Sequence, residues 1–193
     1  MLHIFKYLFF VFTFFVFTNA KSIETDWKSG AESKVRVISP ISNNNNQKDI
    51  YLGLEYRLQE GWKTYWQSPG EGGFPQSINW SKSINVKKLE IEWPIPEKFE
   101  ILGMQSVGYS NHVIFPLKIN LEDESKFTLV ILDLNYLICK DICIPGNAYL
   151  EINIPPGLAN LTKHSFIIEK TISNLPKKNL KLSLLKSSET KAY

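Results

Sequence analysis

The sequence predicts an all-β fold, an antiparallel β-sandwich with one short C-terminal helix. Two observations support this prediction. Short segments in which apolar and polar residues alternate recur along the chain, and residues that favour turns separate them. The period of an amphipathic helix, in contrast, occurs in a single segment near the C-terminus.

The first twenty residues are expected to be a secretory signal peptide. Lys6 gives a short positive region, residues 8–17 form a Phe-rich apolar run, and Ala20 supplies the small residue at the cleavage site. The apolar run is short for a membrane span, and a retained N-terminal anchor is the alternative. We therefore expect a protein that an N-terminal signal peptide exports to the periplasm or out of the cell. Residues 21–193 suffice for one domain with a real core.

Eight segments are predicted to be strands. Residues 49–58 show the pattern most clearly, because Ile50 and Leu52 lie on one face and polar residues follow on the other. The segments are residues 34–38, 49–58, 62–66, 78–80, 86–93, 112–119, 127–138 and 148–154. Residues 94–96, Pro-Ile-Pro, predict an extended link, and residues 99–108 are expected to be irregular.

The single helix is predicted over residues 162–173. Phe166, Ile168 and Ile172 lie near helical spacing, and Pro176 follows the predicted end. The expected organisation is a signal peptide at residues 1–20, a sandwich at 21–157, a short helix within 158–175, and a polar tail or linker stub at 176–193.

The composition excludes several classes of function. The formal net charge is only +3, and one positive charge, Lys6, leaves with the signal peptide, so nucleic acid is not an expected partner. The chain has no Gly-rich phosphate loop after a strand and no Gly-x-Ser-x-Gly motif. It also lacks the Cys-x-x-Cys motif of thioredoxins.

The only two cysteines, Cys139 and Cys143, lie between two alternating runs. This placement predicts a β-hairpin in which they face each other, with Cα atoms about 4.5–5.5 Å apart, a separation that suits a disulfide. A bond that closes so short a loop stabilises a protein by only about 2 kcal/mol, so it is a weak staple. The residues alone leave open whether the bond exchanges with other thiols or is structural. Lys140 would favour a thiolate and Asp141 would oppose it.

A different use of the two sulfurs is Cu(I) binding, since this soft ion prefers sulfur ligands. Met104 and His112 would be added as ligands if the segment before the hairpin folds over it. The simpler interpretation makes Met104 an apolar gap-filler and His112 a surface residue. No zinc site is expected, and we expect no cofactor besides the disulfide.

The aromatic residues also have two interpretations. Trp62, Tyr65, Trp66, Trp80 and Trp93 are predicted mainly to fill the core, while one or two would line the approach to the cysteines. The same two interpretations apply to Tyr109 and Tyr136, which we include among the candidate site-lining residues.

An ordered set of short motifs extends over the chain. They are Gly61-Trp62-Lys63-Thr64-Tyr65-Trp66, Ser68-Pro69-Gly70, Gly73, Ile78-Asn79-Trp80, Trp93-Pro94-x-Pro96, Gly103, Gly108-Tyr109, Phe115-Pro116, Tyr136-Leu137-Ile138-Cys139 and Cys143-Ile144-Pro145. As a set they resemble the N-terminal periplasmic domain of the DsbD/ScsB-type protein-disulfide reductases, over residues 27–173. The resemblance implies an immunoglobulin-like sandwich whose cysteine pair cycles between dithiol and disulfide.

By this resemblance Cys139 and Cys143 match the redox pair, Tyr65 falls beside the site, and residues 100–103, which include Ile101, Leu102 and Gly103, fall where a cap shields the sulfurs. The cap of the family carries aromatic residues where Ile101 and Leu102 stand here. The cysteine spacing is shorter than in the best-known members and fits the ScsB-like branch.

The resemblance also implies partners. The expected partners are periplasmic thioredoxin-fold proteins, which receive electrons, and a separate membrane-bound electron donor, because no membrane or thioredoxin-like part follows residue 173 in this sequence. The protein itself is expected to be a monomer. The alternatives are a copper-binding or copper-tolerance protein that uses the same cysteines, and a structural adaptor whose disulfide is inert.

Overall fold

Two antiparallel sheets pack against each other in this computed structural model, which describes residues 23–176. The first sheet has the strand order β1-β2-β3-β9-β6, and the second has the order β11-β10-β4-β8-β7, with β5 paired to β10 outside that order. The elements are β1 (Lys28–Ser29), β2 (Ser33–Ile38), β3 (Asp49–Leu58), β4 (Lys63–Gly70), β5 (Ser77–Asn79), β6 (Val86–Ile91), β7 (Glu97–Ile101), β8 (Met104–Ser110), β9 (His112–Leu121), β10 (Thr128–Cys139), β11 (Cys143–Ile154) and α1 (Ser165–Ser173). The predicted all-β sandwich with one short helix is confirmed.

The predicted signal peptide and nearly all of the predicted tail lie outside the described residues. Within residues 23–176, no helix is both long and apolar enough to cross a bilayer.

All eight predicted strands are present, and β3 has the predicted bounds. The structure corrects the prediction for residues 99–108, because β7 and β8 form a hairpin there. Leu102 (φ 55°) and Gly103 (φ 77°) make its two-residue turn. Such a turn needs a positive φ at both positions and normally begins with Asn, Asp or Gly. Because Leu102 stands at its first position, the sequence does not show the usual hairpin-turn pattern.

Strand alternation decides which side chains of the second sheet face the core. On β10, Leu134, Tyr136 and Ile138 are buried between the two sheets. Leu137 and Cys139 alternate with them and belong to a separate cluster, on the outer face of the same sheet. The second sheet therefore has a core face, which packs against the first sheet, and an outer face, which carries Leu137 and Cys139.

The helix α1 covers the outer face of the first sheet. Ile168 is fully buried and packs with Ile38 and Ile114. Gly53 makes this approach possible, since a Cβ there would lie only 3.0 Å from Ile114 and 3.3 Å from Ile168.

A charged network holds this side of the molecule together. Arg36 donates to Glu24 at 2.6 Å and to Glu55 at 2.7 Å, His112 contacts Glu55 at 2.9 Å, and His164 contacts Glu24 at 2.8 Å. Burial would raise the pKa of Glu55, but the hydrogen bonds from His112 and Arg36 outweigh it and lower the pKa to about 2. Burial would likewise raise the pKa of Glu24, but the hydrogen bonds from Lys163 and His164 outweigh it and lower this pKa to about 2 as well.

This network predicts acid sensitivity. Both carboxyl groups have folded-state pKa values below the ordinary 4.5, so their contribution to stability is complete above pH 4.5 and is lost as the pH falls toward 2. We expect Glu55→Gln to lower the free energy of unfolding near neutral pH by on the order of 2 kcal/mol, and by much less near pH 2. Urea unfolding across this pH range measures the effect. The control is Glu169→Gln, on the exposed side of α1, and equal losses in both variants would contradict the prediction.

Candidate functional site: the disulfide at the β10–β11 hairpin

Cys139 and Cys143 form a disulfide at the end of the β10–β11 ladder. Cys139 is the last residue of β10 and Cys143 the first of β11, and the two are direct partners in the register, with Cα atoms 4.1 Å apart. The backbone N–H of Lys140 donates to the carbonyl of Ile142 at 3.0 Å and closes the turn. The predicted opposition of the two cysteines is confirmed.

The two cysteines differ sharply in exposure. Cys139 is completely buried, whereas Cys143 is exposed. The sheet order explains the difference, because β10 has β4 as its other neighbour while β11 is the edge strand. An incoming thiol can therefore approach the bond from the side of Cys143.

An apolar cluster covers Cys139 on the outer face of the second sheet. Tyr65 of β4, Ile101 of β7 and Leu137 of β10 are buried with it, and Phe99 packs against them. The rings of Tyr65 and Phe99 lie 6.1 Å apart. The structure thus places Tyr65 and Ile101, which the resemblance assigned to the site and its cap, in one cluster with Cys139. It adds Phe99 and Leu137, which sequence reasoning missed.

The β7–β8 turn divides two neighbouring residues between different environments. Ile101 is 6% exposed and packs in the cluster, while Leu102 is 59% exposed. Gly103 has open space where a Cβ would lie. Of the predicted cap residues, Ile101 alone is in the cluster with Cys139, and Leu102 and Gly103 form the turn beyond it.

A second covering element is the loop between β4 and β5. A Cβ at Gly73, which has φ +85°, would lie 2.2 Å from the Tyr65 ring, and a Cβ at Gly72 would lie 2.7 Å from Met104 Cε. The loop backbone therefore lies directly on the side chains that surround the site. The three glycines at Gly70, Gly72 and Gly73 signalled a flexible loop in the sequence, but nothing in their spacing shows what the loop covers.

Tyr109 and Tyr136 are not in the cluster around Cys139. Both belong to the core between the sheets, which corrects their inclusion among the site-lining residues. The Tyr136 hydroxyl contacts Ser33 Oγ at 2.9 Å, and the Tyr109 hydroxyl donates to the carbonyl of Pro94 at 2.8 Å. The reason is alternation, since Tyr136 lies an odd number of residues from Cys139 and so faces the opposite side of β10.

The four tryptophans of the predicted aromatic set follow the core interpretation. Trp62 is buried in the main core, and the others pack against it. These others are Trp66, Trp80 and Trp93.

The residues considered for Cu(I) lie in different parts of the fold. His112 belongs to β9 of the first sheet and contacts Glu55. Met104 begins β8 and is the register partner of Ile101, on the outer face of the second sheet. Within residues 23–176, no three His, Cys, Asp or Glu side chains are grouped closely enough to hold a metal ion.

Comparisons with known proteins identify a family and similar solved structures. Residues 33–154 match the family described as "Thiol:disulfide interchange protein DsbD, N-terminal". The chain is similar to the N-terminal periplasmic domain of ScsB from Proteus mirabilis, with a TM-score of 0.65 and 27% identity over 81% of this chain and 60% of that chain. The reduced DsbD N-terminal domain of Neisseria meningitidis is also found, with a TM-score of 0.34 and 12% identity over 75% of this chain and 91% of that one. No curated protein matches.

The similarity of this chain to the ScsB structure confirms the predicted immunoglobulin-like sandwich. The chain spans 60% of the length of that structure.

The loop over Tyr65 gives a prediction with a matched control. We expect Gly73→Ala to displace the Tyr65 ring, to expose Cys139, and to destabilise the fold by about 2–3 kcal/mol, because steric overlap adds to the strain of a positive φ. Gly103→Ala has the same strain in open space and is expected to cost only about 1–2 kcal/mol.

The measurement is the alkylation rate of Cys139 by iodoacetamide in the Cys143→Ser background. We expect Gly73→Ala to raise this rate and Gly103→Ala to leave it unchanged. Equal rates in the two glycine variants would show that the loop does not shield Cys139.

Proposed function

Because the chain belongs to the family of DsbD N-terminal domains, which are thiol:disulfide interchange modules, we propose that it relays electrons in the periplasm through Cys139 and Cys143. The observation that carries this proposal is the asymmetric disulfide, with one exposed and one buried cysteine at the end of a hairpin. Thiol–disulfide exchange needs a reachable sulfur for the incoming thiolate, and a second cysteine completes the transfer.

The proposed reduction of the domain begins at Cys143. A thiolate of the donor attacks Cys143 Sγ, the bond between the two cysteines breaks, and its electron pair remains on Cys139 Sγ as a thiolate. The second thiolate of the donor then attacks the donor sulfur of the mixed disulfide and releases Cys143. The donor dithiol becomes a disulfide, and the domain holds two electrons and takes up two protons.

The proposed delivery of electrons reverses this order. The thiolate of Cys143 attacks one sulfur of an acceptor protein's disulfide. The acceptor's S–S bond breaks, a mixed disulfide with Cys143 forms, and the other acceptor sulfur leaves as a thiolate. Cys139 Sγ then attacks Cys143 Sγ, which restores the internal disulfide and releases the acceptor as a dithiol. The close opposition of the two cysteines supports this last step, because the sulfurs can rejoin with little backbone movement.

The covering cluster gives this chemistry selectivity. Ile101, Tyr65 and Phe99 enclose Cys139, so small thiols meet only one side of the bond. The partners we propose are thioredoxin-fold periplasmic proteins as acceptors and a separate membrane-bound donor. A docked partner would have to reach Cys143 at the open edge beside β11.

The order of attack can be tested by trapping. Cys139→Ala leaves the exposed Cys143 to form a mixed disulfide that no second cysteine can resolve. Cys143→Ala leaves only the enclosed Cys139. We therefore expect Cys139→Ala to accumulate a covalent complex with an oxidised periplasmic disulfide isomerase, visible on a non-reducing gel, and Cys143→Ala to accumulate far less. Equal trapping by the two variants, or trapping by Cys143→Ala alone, would contradict the proposed order.

The reduction potential separates an exchanging bond from a structural one. Structural disulfides have potentials below about −300 mV, and exchanging disulfides lie higher. We expect the Cys139–Cys143 bond to titrate above this limit in glutathione or dithiothreitol buffers. A value below it would favour an inert structural bond and would overturn the relay.

A further inference from the structure

Lys63 is the residue directly opposite Cys139 on the neighbouring strand. In the pairing of β10 with β4, Cys139 and Lys63 are register partners. Opposed residues of an antiparallel pair project from the same face of the sheet, with Cβ atoms about 4.5–5.5 Å apart. The Lys63 side chain therefore begins beside the buried cysteine, on the side of the disulfide away from β11.

The ammonium group of Lys63 stays close to the cluster around Cys139. Its Nζ lies 5.7 Å from the centroid of the Phe99 ring, within the range of a cation–π contact. The same atom lies 3.4 Å from Glu97 Oε1. The side chain is 26% exposed, so its charge is less screened by water than that of a free surface lysine.

The lysine between the two cysteines is placed differently. Lys140 is exposed, and its side chain lies along Gly61, where a Cβ would meet Lys140 Cε at 2.9 Å and Nζ at 3.1 Å. In the sequence, the effect of Lys140 on a thiolate is opposed by that of Asp141. The register points instead to Lys63.

We propose that Lys63 stabilises the thiolate that Cys139 becomes when the disulfide opens, an inference that rests on the proposed exchange function. When a donor thiolate bonds to Cys143 Sγ, the electron pair of the broken bond stays on Cys139 Sγ. That negative charge forms inside an apolar cluster, where an unpaired charge is costly. The Lys63 ammonium offsets this cost and makes Cys139 a better leaving group.

Glu97 has the opposite effect on the same charge. Its pKa is lowered by a hydrogen bond from Ser110, which outweighs its partial burial, and by Lys63, so it remains ionised. Glu97 holds Lys63 in place, but its own negative charge disfavours a thiolate nearby. The remaining ionisable groups on the elements around Cys139 are Tyr65, Glu71, Lys98, Glu100, Tyr109, Asp133, Tyr136, Lys140, Asp141, Tyr149 and Glu151.

The test isolates Cys139 in the full chain with Cys143→Ser. The thiolate absorbance of this protein in the ultraviolet is followed against pH, a measurement that needs no access to the buried sulfur. We expect Lys63→Met to raise the midpoint by about one pH unit, which is about tenfold less thiolate at a given pH. Lys63→Arg should keep the original midpoint, and Glu97→Gln should lower it. Lys140→Met is the matched control and should leave it unchanged.

A second measurement uses the protein with both cysteines. We expect Lys63→Met to slow reduction of the disulfide by dithiothreitol about threefold at a fixed pH, because the leaving thiolate is less stable. Lys63→Arg should restore the rate, and the thermal unfolding midpoint of each variant checks its folding.

An unchanged thiolate midpoint in folded Lys63→Met, or an equal shift in Lys140→Met, would overturn the role of Lys63. Either result would leave the relay intact, since trapping and the reduction potential test that separately. A reduction potential in the structural range would remove the relay whatever Lys63 does to the thiolate.

Discussion

The register of β10 with its two neighbours is the constraint on which the rest of the structure depends. Pairing with β11 places Cys139 opposite Cys143, and pairing with β4 places Lys63 opposite Cys139. A slip of one residue would turn the cysteine to the core face and Tyr136 to the outside. Burial of the core-face side chains therefore fixes the register, and the register fixes the positions of Cys139, Cys143 and Lys63 on the outer face.

The site has two parts, a base formed by the β10–β11 hairpin that carries the disulfide, and a cover formed by peripheral elements that pack over Cys139. The base is the end of a long hairpin, whose ladder continues to Thr128 and Ile154. The cover comes from the β7–β8 hairpin, at the edge of the sheet, and from a glycine-rich loop. Cys139 thus belongs to a cluster separate from the main core, and its cover comes from peripheral elements.

The two cysteines differ in their surroundings, and the proposed exchange gives them different roles. Cys143 lies exposed on the edge strand, and Cys139 lies inside an apolar cluster. Enclosure has a physical cost, since a thiolate is poorly tolerated in apolar surroundings. A lysine on the adjacent strand is a simple way to reduce that cost without opening the cluster to water.

The sequence by itself determined the sandwich class, most strand positions and the opposition of the two cysteines. These follow from local alternation and from the short turn between two paired strands, which act over a few neighbouring residues. It did not reveal β7 and β8, because their turn begins with Leu102 rather than a usual turn residue. Only the tertiary structure decided that Phe99 and Lys63 lie beside Cys139 and that Tyr109 and Tyr136 do not. Those placements depend on which strands become neighbours and which face each residue takes, and pairing between distant segments is not encoded in any local pattern.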